Sequence, residues 1–253
     1  MDPHVQATLA AREARCAYPP PSATTPLSAD EAYRAQERVR EALVARGERV
    51  VGWKVGFTTP AVQEAFGWSE PVCAFLLASG MYGSGADVPW ARFVNLAVEA
   101  EIAFLMRADL AGPGVTPPRA LLAVEGALPA LELVDFRHQG TPTGTDVIAD
   151  GVYANAVVLG GAVTPLAGLD LAREGLVYEH NGAVAATAAA AEVMGNPVHA
   201  LAWVANHLGT RGLRLHAGDV VMSGSVSKLL HPKAGDSVRA TFTRLGSVTV
   251  RFV

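Results

Sequence analysis

Apolar and polar positions change rhythm near residue 50. Before it, apolar residues recur at helical spacing. Residues 5 to 17 are rich in Ala and Arg and read as a helix. Tyr18-Pro19-Pro20-Pro21 stops it, because proline lacks the amide donor and restricts the residue before it. Ser28-Ala29-Asp30-Glu31 has the form of a capping box. Behind it, Ala32, Ala35, Val39, Ala42 and Leu43 make the apolar side of a helix that runs to Ala45, with Gly47 as its stop. After Val50, short apolar runs alternate with Gly and Pro. Their length and β-branched content predict strands at Val50–Val55, Val98–Met106, Ala130–Val134, Ala154–Leu159, Val184–Ala188, Val220–Met222, Ser237–Phe242 and Ser247–Val253. Two helices are expected among them. One follows Thr116-Pro117-Pro118, and one follows Asn196-Pro197 and reads through Leu201, Val204 and Leu208 to Gly209. The pattern predicts an α+β body, residues 49–253, behind an N-terminal helical segment, residues 1–48.

Composition narrows the class. Of 253 residues, 50% are hydrophobic and 17% charged, and the formal net charge is −4. A chain this apolar and weakly charged is not disordered. It has no basic surplus for nucleic acid, so no nucleic-acid partner is expected. No apolar run reaches the roughly 18 residues of a membrane span, so no membrane partner is expected either. Ala120–Val134 is interrupted by Glu125 and Glu132. Cys16 and Cys73 form no CxxC pair, which argues against a disulfide scaffold or a thiolate zinc site. Met1-Asp2-Pro3-His4 opens no secretory signal, and a cytoplasmic location is the expectation.

The low charged fraction makes charges inside apolar runs conspicuous. In Val98-Glu99-Ala100-Glu101-Ile102-Ala103-Phe104, strand alternation puts Glu99 and Glu101 on one face. Glu132 interrupts Leu131-Glu132-Leu133-Val134 in the same way. A solvated sheet face would account for such residues. However, Ala103 and Leu105 continue the Glu99/Glu101 face, and no Lys or Arg lies within the segment. Buried carboxylates need a partner, and an all-oxygen set suits Mg²⁺, Mn²⁺ or Ca²⁺ better than zinc. Lys54, in Gly52-Trp53-Lys54-Val55-Gly56, reads either as a snorkelling residue on an edge strand or as a lysine facing an anionic substrate. Met222-Ser223-Gly224-Ser225 runs from a strand into a turn whose amides and hydroxyls suit a carboxylate. His180, His199, His207, His216 and His231 show no metal-ligand spacing, and His199 and His207 are expected on the surface of the late helix. GxSxG and Gly-rich nucleotide motifs are absent.

The order of these pieces resembles the fumarylacetoacetate hydrolase superfamily, in its branch of 2-keto-4-pentenoate hydratases and oxalocrotonate decarboxylases. The resemblance rests on Gly52-Trp53-Lys54-Val55-Gly56-Phe57-Thr58, Val98–Phe104, Ala130-Leu131-Glu132-Leu133-Val134-Asp135-Phe136-Arg137, Asp146–Asp150, Gly195-Asn196-Pro197, Ala217–Val221 and Leu245-Gly246-Ser247-Val248. It implies a mixed β-roll and a divalent metal, Mg²⁺ or Mn²⁺, held by Glu99, Glu101 and Glu132. It also implies Lys54 as the active-site lysine, the Gly224-Ser225 turn on the substrate carboxylate, and a homo-oligomer.

That resemblance further implies a small 2-oxo or 2-hydroxydienoic acid chelated by the metal, which stabilises an enolate at C2. Hydration is the first expectation. Decarboxylation of an oxalocrotonate-type diacid, C–C hydrolysis on the same centre, and a silent relative that only binds 2-oxo acids are the alternatives. The chain departs from the family pattern at two places. Glu70-Pro71-Val72-Cys73 has Val72 where an acid is usual, and Ala149-Asp150-Gly151-Val152-Tyr153 replaces a more polar segment.

Overall fold

The computed structural model describes residues 2–253. Helix α1 (Pro3–Ala14) ends where Arg15 turns left-handed, and α2 (Ala29–Ala45) starts from the full Ser28/Glu31 capping box. The body then runs β1 (Val50–Gly56), α3 (Pro60–Ala65), β2 (Val72–Leu77), β3 (Met81–Gly83), β4 (Ala86–Val88), β5 (Leu96–Met106), α4 (Pro117–Leu122), β6 (Val124–Asp135) and α5 (Gly144–Asp150). It continues through β7 (Ala154–Leu159), β8 (Gly175–His180), β9 (Ala183–Ala189), α6 (Pro197–Thr210), β10 (Val220–Ser225), β11 (Ser237–Phe242) and β12 (Gly246–Phe252). Asn196 caps α6 through its side chain.

Two mixed sheets result. The larger has the order β2-β1-β10-β5-β6-β7-β3 and the smaller β4-β12-β11-β8-β9. They pack through β6, β7, β11 and β12, and the buried Tyr178 hydroxyl of the small sheet donates to the Val98 carbonyl of the large one. Helix α2 lies over β2 and α5, and the Gln36 amide donates to the carbonyls of both Cys73 and Ile148. Both faces of β5 and β6 are covered, so these strands read as near-continuous apolar runs.

Several expected elements are longer or more numerous in the structure. β6 begins at Val124 rather than Ala130, and β2 and β8 fall outside the expected strands. β2, Val-Cys-Ala-Phe-Leu-Leu, has no alternation because both its faces are buried, and without alternation period alone does not separate strand from helix. The body holds four helices, not two. α3 and α5 are too short to show a helical period, although Thr143 and Asp146 form a complete capping box. His207 is not a surface residue. It is half-buried, with ring-centroid distances of 4.5 Å to Tyr33 and 4.9 Å to Trp203, and burial lowers its pKa to about 4.

Candidate active site

The large sheet assembles the charged residues by register. Glu99 of β5 lies directly opposite Glu132 of β6, so both side chains leave the sheet on one face. Glu101, two residues on, shares that face and is paired with Ser225 of β10. The carboxylates of Glu99, Glu101 and Glu132 bring oxygens within 4.8 Å of one another. Between Met222 and Ser225 the register shifts, and Gly224 sits there at φ +107°. A Cβ at Gly224 would lie 2.5 Å from Thr58 Cγ2, so both the space and the backbone angle require glycine. The bulge aims the Gly224 amide at Glu101 Oε2, 2.7 Å away. That amide therefore serves the carboxylate, while Ser225 reaches the cavity wall.

Lys54 enters from β1, an interior strand between β2 and β10, and is 3% exposed. It is therefore not a snorkelling edge residue. Its Nζ donates to the Val152 carbonyl at 3.1 Å and faces Glu132 Oε2 at 3.1 Å. Burial alone would lower its pKa, but Glu132, then Glu99 and Glu101, outweigh burial and hold it above the ordinary value. Burial first, then the Glu132 charge, pushes Glu99 up to about 7. Glu101 is driven well above the ordinary carboxylate range by burial, then by Glu132 and Glu99. Position 72 lies across from Gly56 in the β1–β2 pair, and a Cβ on Gly56 would be 3.3 Å from Val72 Cγ2 and 3.8 Å from Lys54 Nζ. Val72 therefore puts its methyl groups against Gly56, two residues along β1 from Lys54.

Glu101 and Glu132 are each 0% exposed, which excludes a solvated sheet face. Glu101 Oε1 and both Glu132 oxygens accept no hydrogen bond. Three clustered carboxylates against one ammonium leave negative charge and lone pairs without partners in the interior. A hard divalent cation with oxygen ligands matches this donor set, and these residues fit one.

Glu99 and Lys54 open onto a cavity of about 750 Å³ that both sheets line. Lys54, Glu99, Ser225, Ser227 and Thr187 supply polar groups, and Phe57, Phe66, Phe136, Val152 and Tyr153 are among the residues of a larger apolar wall. Phe57 and Phe136 fall inside the Gly52–Thr58 and Ala130–Arg137 segments, and Val152 and Tyr153 inside the altered 149–153 segment, whereas nothing in the sequence marks Phe66. Behind the wall runs a buried ionic network. Arg137 pairs with Asp150 and lies 3.5 Å from Asp135, Tyr18 donates to Asp150 at 3.0 Å, and Arg12 donates to the Asp150 carbonyl at 2.8 Å. It ties the N-terminal segment to the turn that carries Val152.

Fold, carboxylate trio and cavity define a family. The pattern described as "Fumarylacetoacetate (FAA) hydrolase C-terminal" matches residues 49–253, and the chain belongs to that family. It is 34% identical over 246 residues to a 2-hydroxyhexa-2,4-dienoate hydratase of Comamonas testosteroni, covering 96% of this chain and 93% of the relative. It is 33% identical to a 4-oxalocrotonate decarboxylase of Pseudomonas sp. (strain CF600), covering 88% of this chain and 85% of that one. Among solved structures, 4-oxalocrotonate decarboxylase from Pseudomonas putida G7, complexed with magnesium and adipate, superposes with a TM-score of 0.95 at 28% identity, covering 99% of this chain and 96% of the other.

Proposed function

We propose that the chain is a divalent-metal-dependent lyase, a hydratase of small 2-hydroxydienoic acids in the breakdown of aromatic compounds. Glu99, Glu101 and Glu132 hold the cation, Mg²⁺ or Mn²⁺. One observation carries this reading: three carboxylates cluster beside a buried lysine, two of them, Glu101 and Glu132, fully buried with oxygens that accept no hydrogen bond, and the third, Glu99, opening onto the cavity. When bound, the cation supplies Lewis acidity for the negative charge that develops on the C2 oxygen of a 2-oxo acid.

The protein's own groups do the rest. Lys54 has three N–H donors, of which one is given to Val152 and one faces Glu132. The third is left for a substrate oxygen, or for moving a proton at it. Gly224 fixes Glu101 through its amide, and the Ser225–Ser227 turn offers its polar edge to the substrate carboxylate. The aromatic wall keeps bulk water from the reacting diene, so that one placed water adds.

Decarboxylation is the second reading, favoured by the close superposition on a decarboxylase. Incubation with 2-hydroxypenta-2,4-dienoate and Mg²⁺, following diene absorbance and CO₂ together, tests the proposal. Diene loss without CO₂ is expected. CO₂ release from 2-oxohex-3-enedioate, with no turnover of the dienoate, would transfer the assignment to decarboxylation. Metal binding with no turnover of either would leave a silent 2-oxo acid binder. A homo-oligomer forms part of the proposal. The uncovered edge strand β9, with Val184 63% exposed, supports it.

A further inference from the structure

The apolar cavity wall is built at the expense of backbone comfort. Six non-glycine residues among those described have left-handed φ, and three of them, Phe57 (φ 54°), Val152 (φ 50°) and Tyr153 (φ 57°), line this one cavity. L side chains rarely adopt that region, and β-branched or bulky ones least of all. Such residues persist where the surroundings over-determine them, and they cluster at ligand sites. Here the strained residues carry aromatic or branched side chains and are locked by packing. Phe57 stacks on Phe66 at 4.8 Å and 17°, and Tyr153 meets Phe136 edge-on at 5.0 Å.

The wall's charges are as informative as its apolar groups. Besides Lys54 and Glu99, the cavity meets only Glu192 and Lys228, both exposed. No arginine lines it, and Lys54 is already committed to Glu132 and Val152. A second carboxylate on the substrate would need a cation or several N–H donors once out of water. Away from Lys54 and the exposed Lys228 the wall offers methyl groups, ring faces and the hydroxyl-bearing Thr58, Thr59 and Thr187, with no further cation. The volume of about 750 Å³ also lies within the roughly 300–1,000 Å³ that takes drug-sized ligands, far more than a pentadienoate fills.

We infer that Phe57, Phe66, Phe136, Val152 and Tyr153 are the specificity-determining surface of this site, and that it selects 2-hydroxydienoic monoacids with an apolar substituent remote from the carboxylate and rejects diacids. This rests on the 2-oxo acid reading proposed above and specifies its substrate class.

Binding of unreactive saturated 2-oxo acids tests it without turnover. The Mg²⁺-loaded protein is titrated calorimetrically with 2-oxobutanoate, 2-oxohexanoate, 2-oxooctanoate and 2-oxoadipate. The wall should tighten binding roughly fourfold for each added methylene. 2-Oxoadipate should bind at least about tenfold more weakly than 2-oxohexanoate, because its distal carboxylate is desolvated without a partner. Phe136→Ala, and Phe66→Ala on its more exposed turn, should weaken 2-oxooctanoate about tenfold and flatten the dependence of affinity on chain length. Affinity independent of chain length, or 2-oxoadipate binding as tightly as 2-oxohexanoate through Lys228, would overturn the inference and leave the 2-oxo acid reading standing. Failure of all four ligands to bind would overturn both.

Discussion

Glu101 shows how much one side chain asks of its surroundings. It is fully buried, accepts one amide from Gly224, and keeps one oxygen without a partner beside two other carboxylates. Glu101→Gln removes a ligand charge but keeps the shape and the bond from Gly224. It should lower Mg²⁺ affinity by at least about tenfold and abolish dienoate turnover while the far-ultraviolet circular dichroism stays unchanged. Unchanged metal affinity in that variant would sink the ligand assignment. Asp146 behaves oppositely. Burial alone would raise its pKa, but bonds from Ser22 and Thr143 outweigh burial and hold it below the ordinary value. A depressed carboxylate stabilises the fold above its unfolded pKa and loses that stabilisation as pH falls through the folded one. The urea midpoint of the native chain should therefore drop more steeply from about pH 5 to about pH 2 than that of Asp146→Asn.

Elements turn such residues into a site. The alternation of β5 puts Glu99 and Glu101 on one face, and this much is legible in Val98–Phe104 alone. That Glu132 belongs with them depends on the β5–β6 register, which pairs Glu99 with Glu132 across strands that are 33 positions apart at that rung. A slip of one residue would turn Glu132 to the other face. The 150–153 turn is a second such element. It offers its Val152 carbonyl to Lys54 and its Asp150 carboxylate to Arg137, so the lysine's position depends on a salt bridge on the far side of the wall. Burial would raise Asp150, but Arg137, then Arg12, hold it below the ordinary value. Arg137→Met strands Asp150 and Asp135 in the interior and should destabilise the protein by about 3–5 kcal/mol in chemical denaturation. Adding Asp150→Leu should recover much of that loss. No recovery would show that Asp150 depends on more than the arginine.

At the scale of the molecule, the trio is a like-charge cluster that the fold must hold together. A cation that binds only the folded state stabilises it by mass action, by about 2.7 kcal/mol when present at a hundredfold excess over Kd. Mg²⁺ should therefore raise Tm in differential scanning calorimetry and EDTA should lower it, and Glu101→Gln should lose most of this response. A Tm indifferent to both additions would mean that the carboxylates share protons rather than a metal.

Local rules reach far into this chain. Ser28 and Asn196 cap helices where their side chains predict, and alternation finds β5 with both of its glutamates, whereas the first helix ends at Ala14 on a left-handed Arg15, before the Tyr18-Pro19-Pro20-Pro21 stop is reached. Those features depend on neighbours within a few residues, so the sequence by itself determines them. The β-branched runs at 154–159 and 237–242 are strands for the same reason. β2 and the first half of β6 were not legible, because burial on both faces erases the period that marks a strand. The cavity wall was decided only by tertiary structure. Phe57, Phe136 and Tyr153 come from distant parts of the chain, and nothing local indicates that they face one space. The depth of Lys54 is also a tertiary outcome. The same apolar flanks suit an edge strand or an interior one, and only the pairing of β1 with both β2 and β10 removes the lysine from water and sets it against three carboxylates.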